Sequence, residues 1–446
     1  MKKRIKPIAL LMSAVLIGAP LAACGKSADS KSESAANSSG EEAGGKTVLT
    51  VVTAGGGFWD EPMAKIEADY EEKHPNIDLN IQIFGYEQLF QNVEVKMGAE
   101  SDEYDVIAVD FPMVAAYADR GYIQPLDDWF DAAEYDLFVD SSRSASFWQE
   151  RFMAAPMESS AMLLFYNKGL LEEAGVDFKI EENEHVTWEK LVETSKQVLD
   201  KMDPQRSGEY SGIGLEQVSR PYQVLPLANT LGEKGIADDG FTVDGVLNTP
   251  GWVTAMDFYA SLFEEGICPR GVKAEEMGPL FYSGKMLFYI GGSWNYWTAM
   301  GTEGFDFGFG LFPTFEGYEA QTATPTGSYH LGISAYSKNA DAAADFIRYI
   351  TLEEGNALWC AESGSVPALK SELESILNSE DALETYKLCA YDVYNTGYPR
   401  PVSPGYTEWE SVVTASFEDI RNGGDPKSAL DSAVSQIDQL FRKYTD

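Results

Sequence analysis

The chain has 446 residues, of which 44% are hydrophobic and 12% aromatic, and carries 71 acidic against 33 basic residues for a formal charge of −38. That much apolar content fills more than one small core, and so acidic a surface repels nucleic acid and other polyanions. Three histidines far apart in sequence and four cysteines without a C-x-x-C pair show neither a histidine metal motif nor a disulfide framework.

In chain order, the first element is a basic start (Lys2, Lys3, Arg4, Lys6) leading into an apolar run from Ile8 to Leu21. It reads as a secretory signal over residues 1–23. Ser13, Gly18 and Pro20 interrupt it, and it is too short for a spanning helix. Without those four basic residues the charge becomes about −42. Leu21-Ala22-Ala23-Cys24 resembles a bacterial lipobox, which implies that Cys24 is lipidated and holds the body outside the cytoplasm at the membrane of a bacterium. From Lys26 to Lys46 the chain is rich in Ser, Ala, Gly and Glu and lacks aromatics, so residues 24–46 are expected to form a disordered tether.

The body opens with a strand-like run, Val48–Val52, and a glycine-rich turn ending in Phe58 and Trp59. Pro62, Met63, Ile66 and Tyr70 form one apolar helical stripe. Residues 77–83 alternate as a strand with one buried face. A helix is expected over 89–97, a strand over 104–109 ending at Asp110, and a helix over 111–119. Strands alternating with helices predict an α/β protein with a largely parallel sheet. Further on, Ala161–Lys168 reads as strand and turn. Thr187 and Thr249 read as N-caps of the helices that follow them. Helices are expected over 221–231, 250–265 and 340–352, with a short helical turn over 279–283. Strands are expected at 286–290 and 331–335, with strand-like alternation over 305–312. No segment of the body is apolar enough to span a bilayer.

Aromatics gather in turns after predicted strands: Phe58 and Trp59, then Trp294, Tyr296 and Trp297, then Tyr329. A later Pro-rich stretch holds Tyr398, Tyr406 and Trp409. Ligands of open α/β sheets bind beyond the carboxyl ends of strands, and a flat ring there stacks on the C–H face of a sugar while Asp, Glu, Asn and Arg bond its hydroxyls. Nucleophile elbows, Walker loops, dinucleotide fingerprints and H-E-x-x-H are missing from the sequence. A carboxylate pair for glycoside hydrolysis stays open among 71 acidic residues.

In their order and spacing the body's segments resemble the extracellular solute-binding proteins of ABC importers, in the sugar-binding group that includes maltose-binding protein (family 1). The carriers are Val48 to Trp59; Tyr104-Asp105-Val106-Ile107-Ala108-Val109-Asp110; Ala155-Pro156-Met157-Glu158 running into Leu164-Phe165-Tyr166-Asn167-Lys168; and Gly284-Lys285-Met286 to Gly292-Ser293-Trp294. Pro325-Thr326-Gly327, Ser337-Lys338-Asn339 and Gly364-Ser365-Val366-Pro367 follow. The resemblance implies a type II periplasmic-binding-protein-like fold, with two α/β lobes joined by crossover segments around a cleft. Residues 47–156 plus 329–364 would form the first lobe and 157–327 plus 366–446 the second. It places Phe58, Trp59, Asp110, Glu158, Trp294, Tyr329, Arg400 and Trp409 at the ligand. The usual acidic-basic pair after the first strand is replaced here by Gly-Gly-Phe-Trp.

The expected function is therefore extracellular capture of a sugar or oligosaccharide and its delivery to a membrane permease, by a monomer that needs no cofactor or metal, binds no nucleic acid and is no enzyme. The alternatives are a binding protein for a polyamine or polyol phosphate, and a secreted carbohydrate-active enzyme. Cys268, Cys360 and Cys389 stay open between thiol and bridge.

Overall fold

The computed structural model describes residues 45–55, 59–181, 183–216, 218 and 220–445. The expected signal, Cys24 and nearly all of the expected tether lie outside them. Two six-stranded sheets organise the body. In the first, Thr47–Ala54 pairs in parallel with Ile77–Phe84 on one side and Val106–Asp110 on the other. Thr47–Ala54 is a nearly continuous apolar run because both its faces are covered beyond its first two residues. Ile77–Phe84 alternates because it is an edge strand with one face toward solvent at its start. In the second sheet Ser160–Asn167 is central, with Met286–Gly292 on one side and Phe307–Gly310 and Thr324–Gly327 on the other.

The expectation of largely parallel sheets needs correction. Tyr329–Ser334 runs antiparallel to Val106–Asp110 in the first sheet, and every neighbour of Ser160–Asn167 is antiparallel to it. The cause is the route of the chain. Ala155–Pro156 leaves the first sheet and becomes Ser160–Asn167 of the second after three residues. Thr324–Gly327 of the second becomes Tyr329–Ser334 of the first after Ser328 alone. A strand that returns directly from the other sheet has no crossover helix to turn it parallel. A third passage occurs at Ser365, where Val366 bridges Ser159. Hydrogen bonds tie the passages together: the Met157 N–H donates to the Tyr329 carbonyl, the Tyr329 N–H to Glu158 Oε1 at 3.1 Å, and Ser328 Oγ to the Glu158 carbonyl.

Each sheet packs its own core. One is built around Val51, Ile107, Tyr117, Ile347 and Trp359, the other around Leu164, Trp188, Trp252, Phe288, Trp409 and Phe441. A small third cluster (Val139, Ala161, Val366, Cys389, Val393) sits where the passages meet. The helices follow their local signals. Thr187 Oγ1 accepts from the Lys190 N–H, and Thr249 Oγ1 from the Trp252 N–H, each at 3.2 Å, as N-caps of Trp188–Met202 and Pro250–Glu264. Two helices differ from expectation. The one expected over 221–231 shortens to Leu225–Thr230, and Pro279 lies inside Ala274–Tyr282. Among the described residues no helix is long and apolar enough to cross a membrane. Cys268, Cys360 and Cys389 are free thiols; burial pushes Cys389 up to about 12, so it stays protonated and inert.

Candidate functional site

A cavity of about 380 Å³ lies between the two sheets, beside the passages. Its walls are strand ends. Ala54 and Asp110 close first-sheet strands, Glu216 directly follows Ser211–Leu215, and Ser293 directly follows Met286–Gly292. This is the position at which open α/β sheets expose their loops to ligands.

The deepest polar feature is an ion pair. Arg400 Nη1 donates to Asp110 Oδ2 at 2.9 Å and Nη2 to Oδ1 at 2.5 Å, and both side chains are about nine-tenths buried. The guanidinium lies between two aromatic rings, 4.7 Å from the centroids of both Phe111 and Tyr222. The Tyr86 hydroxyl donates to Asp110 Oδ2 at 2.6 Å. Both Asp110 oxygens are thus engaged before any ligand enters. Arg220, also in the wall, stacks 4.6 Å from the Tyr86 centroid and comes within 3.8 Å of Glu87.

Trp294 is held by one carboxylate. Glu216 Oε1 accepts from Trp294 Nε1 at 3.2 Å, and Oε2 accepts from the Gly292 N–H at 2.8 Å and Asn295 Nδ2 at 3.0 Å. Gly292 is required here, because a Cβ on it would lie 2.1 Å from the indole. Glu216→Gln is expected to lower affinity for the cavity's ligand by about fivefold, the worth of one ordinary hydrogen bond of ~1 kcal/mol. The same change in a Trp294→Ala background is expected to have no further effect, since Glu216 acts through the indole. Calorimetric titration of the four proteins checks this.

Glu158 lies in the first passage and is buried. Burial raises it to about 7, even though Ser365 and the Tyr329 N–H favour its charged form.

Of the residues singled out in the sequence, Trp59, Asp110, Glu158, Trp294, Tyr329 and Arg400 line this one cavity. Trp59 is nearly buried, with its ring edge-on to Tyr329 and Trp359 at 5.8 and 5.0 Å. Phe58 lies outside the described residues. Trp409 does not reach the cavity. It stands in the helix Tyr406–Arg421, fully buried among Val413, Phe417 and Ile420, and its indole N–H donates to the Gly235 carbonyl at 3.1 Å. Its Pro-rich approach reads as a loop, but the helix starts right after Gly405 and turns that ring inward. Sequence reasoning missed Tyr86, Glu216, Arg220 and Tyr222 as wall residues. The strand Ser211–Leu215, which would have marked Glu216, carries two glycines in five residues and so a weak strand signal. Among the described residues no group of His, Cys, Asp and Glu is placed to hold a metal ion.

The family model described as bacterial extracellular solute-binding protein matches residues 51–357. The galactooligosaccharide-binding protein of Bacillus subtilis is 24% identical over 445 residues, covering 97% of this chain and 96% of its own. Among solved structures, an ABC substrate-binding protein of Listeria monocytogenes in complex with cycloalternan superposes with a TM-score of 0.74 at 18% identity, covering 89% of this chain and 99% of its own. The GacH receptor of Streptomyces glaucescens, solved unliganded and with acarbose, gives 0.72 at 19% identity, covering 89% and 98%.

Proposed function

Because the chain belongs to the bacterial extracellular solute-binding protein family, we propose that it captures a sugar or oligosaccharide in this cavity and delivers it to the permease of an ABC importer. The observation that carries the reading is the Trp294 indole, held in place by Glu216 on the wall of a cavity whose buried ion pair, Asp110 with Arg400, is already formed. A neutral polyhydroxyl ligand needs flat apolar rings and hydrogen-bonding groups without a surplus of one sign. A polyamine needs several ionised, uncompensated carboxylates, yet Asp110 is matched by Arg400, Glu216 is filled by three donors, and burial raises Glu158 to about 7. A phosphate needs unengaged cations, yet Arg400 is taken by Asp110 and the one other wall cation among the described residues, Arg220, stacks on Tyr86 within 3.8 Å of Glu87. The same engagement speaks against a hydrolytic carboxylate pair, and incubation with oligosaccharides is expected to give no cleavage product. The relative named for galactooligosaccharide binding supports the same ligand class.

In this reading Trp59, Asp110, Glu158, Trp294, Tyr329 and Arg400 contact or frame the sugar. The lobes are 47–156 plus 329–364 and 157–327 plus 366–446. Sugar touching both lobes favours the closed arrangement and so shifts the population toward it. Lipid on Cys24 would keep a monomeric body beside the permease and raise its effective concentration there.

A thermal-shift screen of sugars, polyamines and glycerol phosphates tests the ligand class. Stabilisation by a saccharide is expected, and stabilisation by spermidine alone overturns the reading. Trp294→Ala is expected to cost ~1–3 kcal/mol of sugar affinity by calorimetry through lost stacking and burial, and unchanged binding removes Trp294 from the site.

A further inference from the structure

Resting on the sugar reading above, we infer that the cavity takes a chain of at least two sugar rings and that Trp297 is the platform for the second. The chain has nine tryptophans. Five are buried, two are intermediate, and the two most exposed are Trp294 at 37% and Trp297 at 53%. Both exposed indoles line the same cavity. A lone exposed aromatic on a convex surface is ordinary; two of them in one concave wall offer a ligand two apolar faces.

Trp297 is positioned for this role. It sits in the helix Tyr296–Gly301, braced edge-on by Tyr296 with centroids 5.2 Å apart. Its other support is Gly364 in the third passage. A Cβ on Gly364 would lie 2.5 Å from Trp297 Nε1, and the φ of +77° there also favours glycine. The indole thus rests on bare backbone of the passage. Its N–H has no hydrogen-bond partner among the described residues, in contrast to the N–H of Trp294, which Glu216 holds. An unpaired donor on an exposed ring suits a ligand hydroxyl. Ser363 and Ser365 line the cavity from the same passage and offer further hydroxyls. One pyranose on Trp294 leaves Trp297 open to water; a second, glycosidically linked ring covers it.

The test is calorimetric titration of the wild-type protein, Trp297→Ala and Trp294→Ala with glucose, maltose and maltotriose and with galactose, galactobiose and galactotriose. For a bound series, wild-type affinity is expected to rise from one ring to two. Trp297→Ala is expected to weaken the di- and trisaccharide about tenfold and the monosaccharide by less than twofold. Trp294→Ala is expected to weaken all lengths. Trp297→Tyr, which keeps a flat ring, is expected to restore most of the loss. A Trp297→Ala effect that is absent or equal at every length, or a wild type that binds only single rings, overturns the second platform while leaving the sugar reading standing. A wild type that binds none of these sugars while spermidine or glycerol phosphate binds overturns both.

Discussion

Asp110→Ala and Arg400→Ala are each expected to lower the unfolding free energy by about 3–5 kcal/mol, the cost of leaving one member of a buried ion pair alone. The pair is bidentate, and both side chains are about nine-tenths buried. Without Asp110, the Arg400 guanidinium keeps its two ring faces, Phe111 and Tyr222, and no hydrogen bond among the described residues. Its Nε–H already lacks a partner among the described residues. Without Arg400, the Asp110 carboxylate keeps the Tyr86 hydroxyl as its one side-chain donor among the described residues. The double variant Asp110→Leu/Arg400→Met is expected to be far less destabilised than the sum of the two single losses, because no charge is then left buried. Urea unfolding of the four proteins checks the cycle, and additive losses would show that the two residues act separately. The pair also links the cores: Asp110 ends a first-sheet strand, and Arg400 follows Gly397–Tyr398, which pairs with Thr324–Gly327 of the second sheet. Either single variant is therefore expected to loosen the relation of the two sheets as well as to lower stability.

What is legible in the sequence is local. Asp110 and Trp294 stand out because each follows an unbroken apolar run, so the strand end and the exposed turn beyond it are written side by side. The caps Thr187 and Thr249 stand out for the same reason. What is not legible depends on partners far away in the chain. The direction of Tyr329–Ser334 is fixed by its pairing with Val106–Asp110, more than two hundred residues earlier. Tyr86 and Arg220 become wall residues only because the fold brings them within 4.6 Å of each other. Trp409 is misplaced by sequence reasoning because its depth is set by the helix it occupies and by the neighbouring helix Pro426–Thr445, whose Phe441 packs over Gly405. Neither appears in the residues just before Trp409.

Glu158→Gln is expected to flatten part of the protein's pH dependence. In the folded protein burial raises Glu158 to about 7, against an ordinary value of 4.5. Below pH 4.5 the group is protonated in both states and its burial carries no ionisation penalty. Between 4.5 and 7 the unfolded chain releases this proton while the folded protein retains it. The folded state then binds more protons, and stability falls as pH rises. Above pH 7 the full penalty is present, on the order of 3 kcal/mol. Asp392, raised by burial from 3.8 to about 6, tilts the profile in the same direction at lower pH. His330, lowered by burial from 6.5 to about 4, tilts it the opposite way: its burial costs stability as pH falls from 6.5 toward 4. The wild-type profile is therefore a composite, and only the difference from the variant isolates Glu158. The side-chain amide that Glu158→Gln introduces keeps a carbonyl able to accept from the Tyr329 N–H, so the link between the first two passages is kept. The variant is expected to match the wild type near pH 4.5 and to exceed it by ~3 kcal/mol at pH 8, measured by urea unfolding across the range. A difference that does not change with pH would mean that Glu158 ionises as freely in the fold as in the unfolded chain. The location of the charge gives the effect a functional side. Glu158 lines the cavity and holds two passages together, so a ligand hydroxyl donating to its carboxylate would favour the ionised form and recover part of that penalty. Sugar binding is then expected to stabilise the wild type more at pH 8 than at pH 5, and Glu158→Gln is expected to lose that difference.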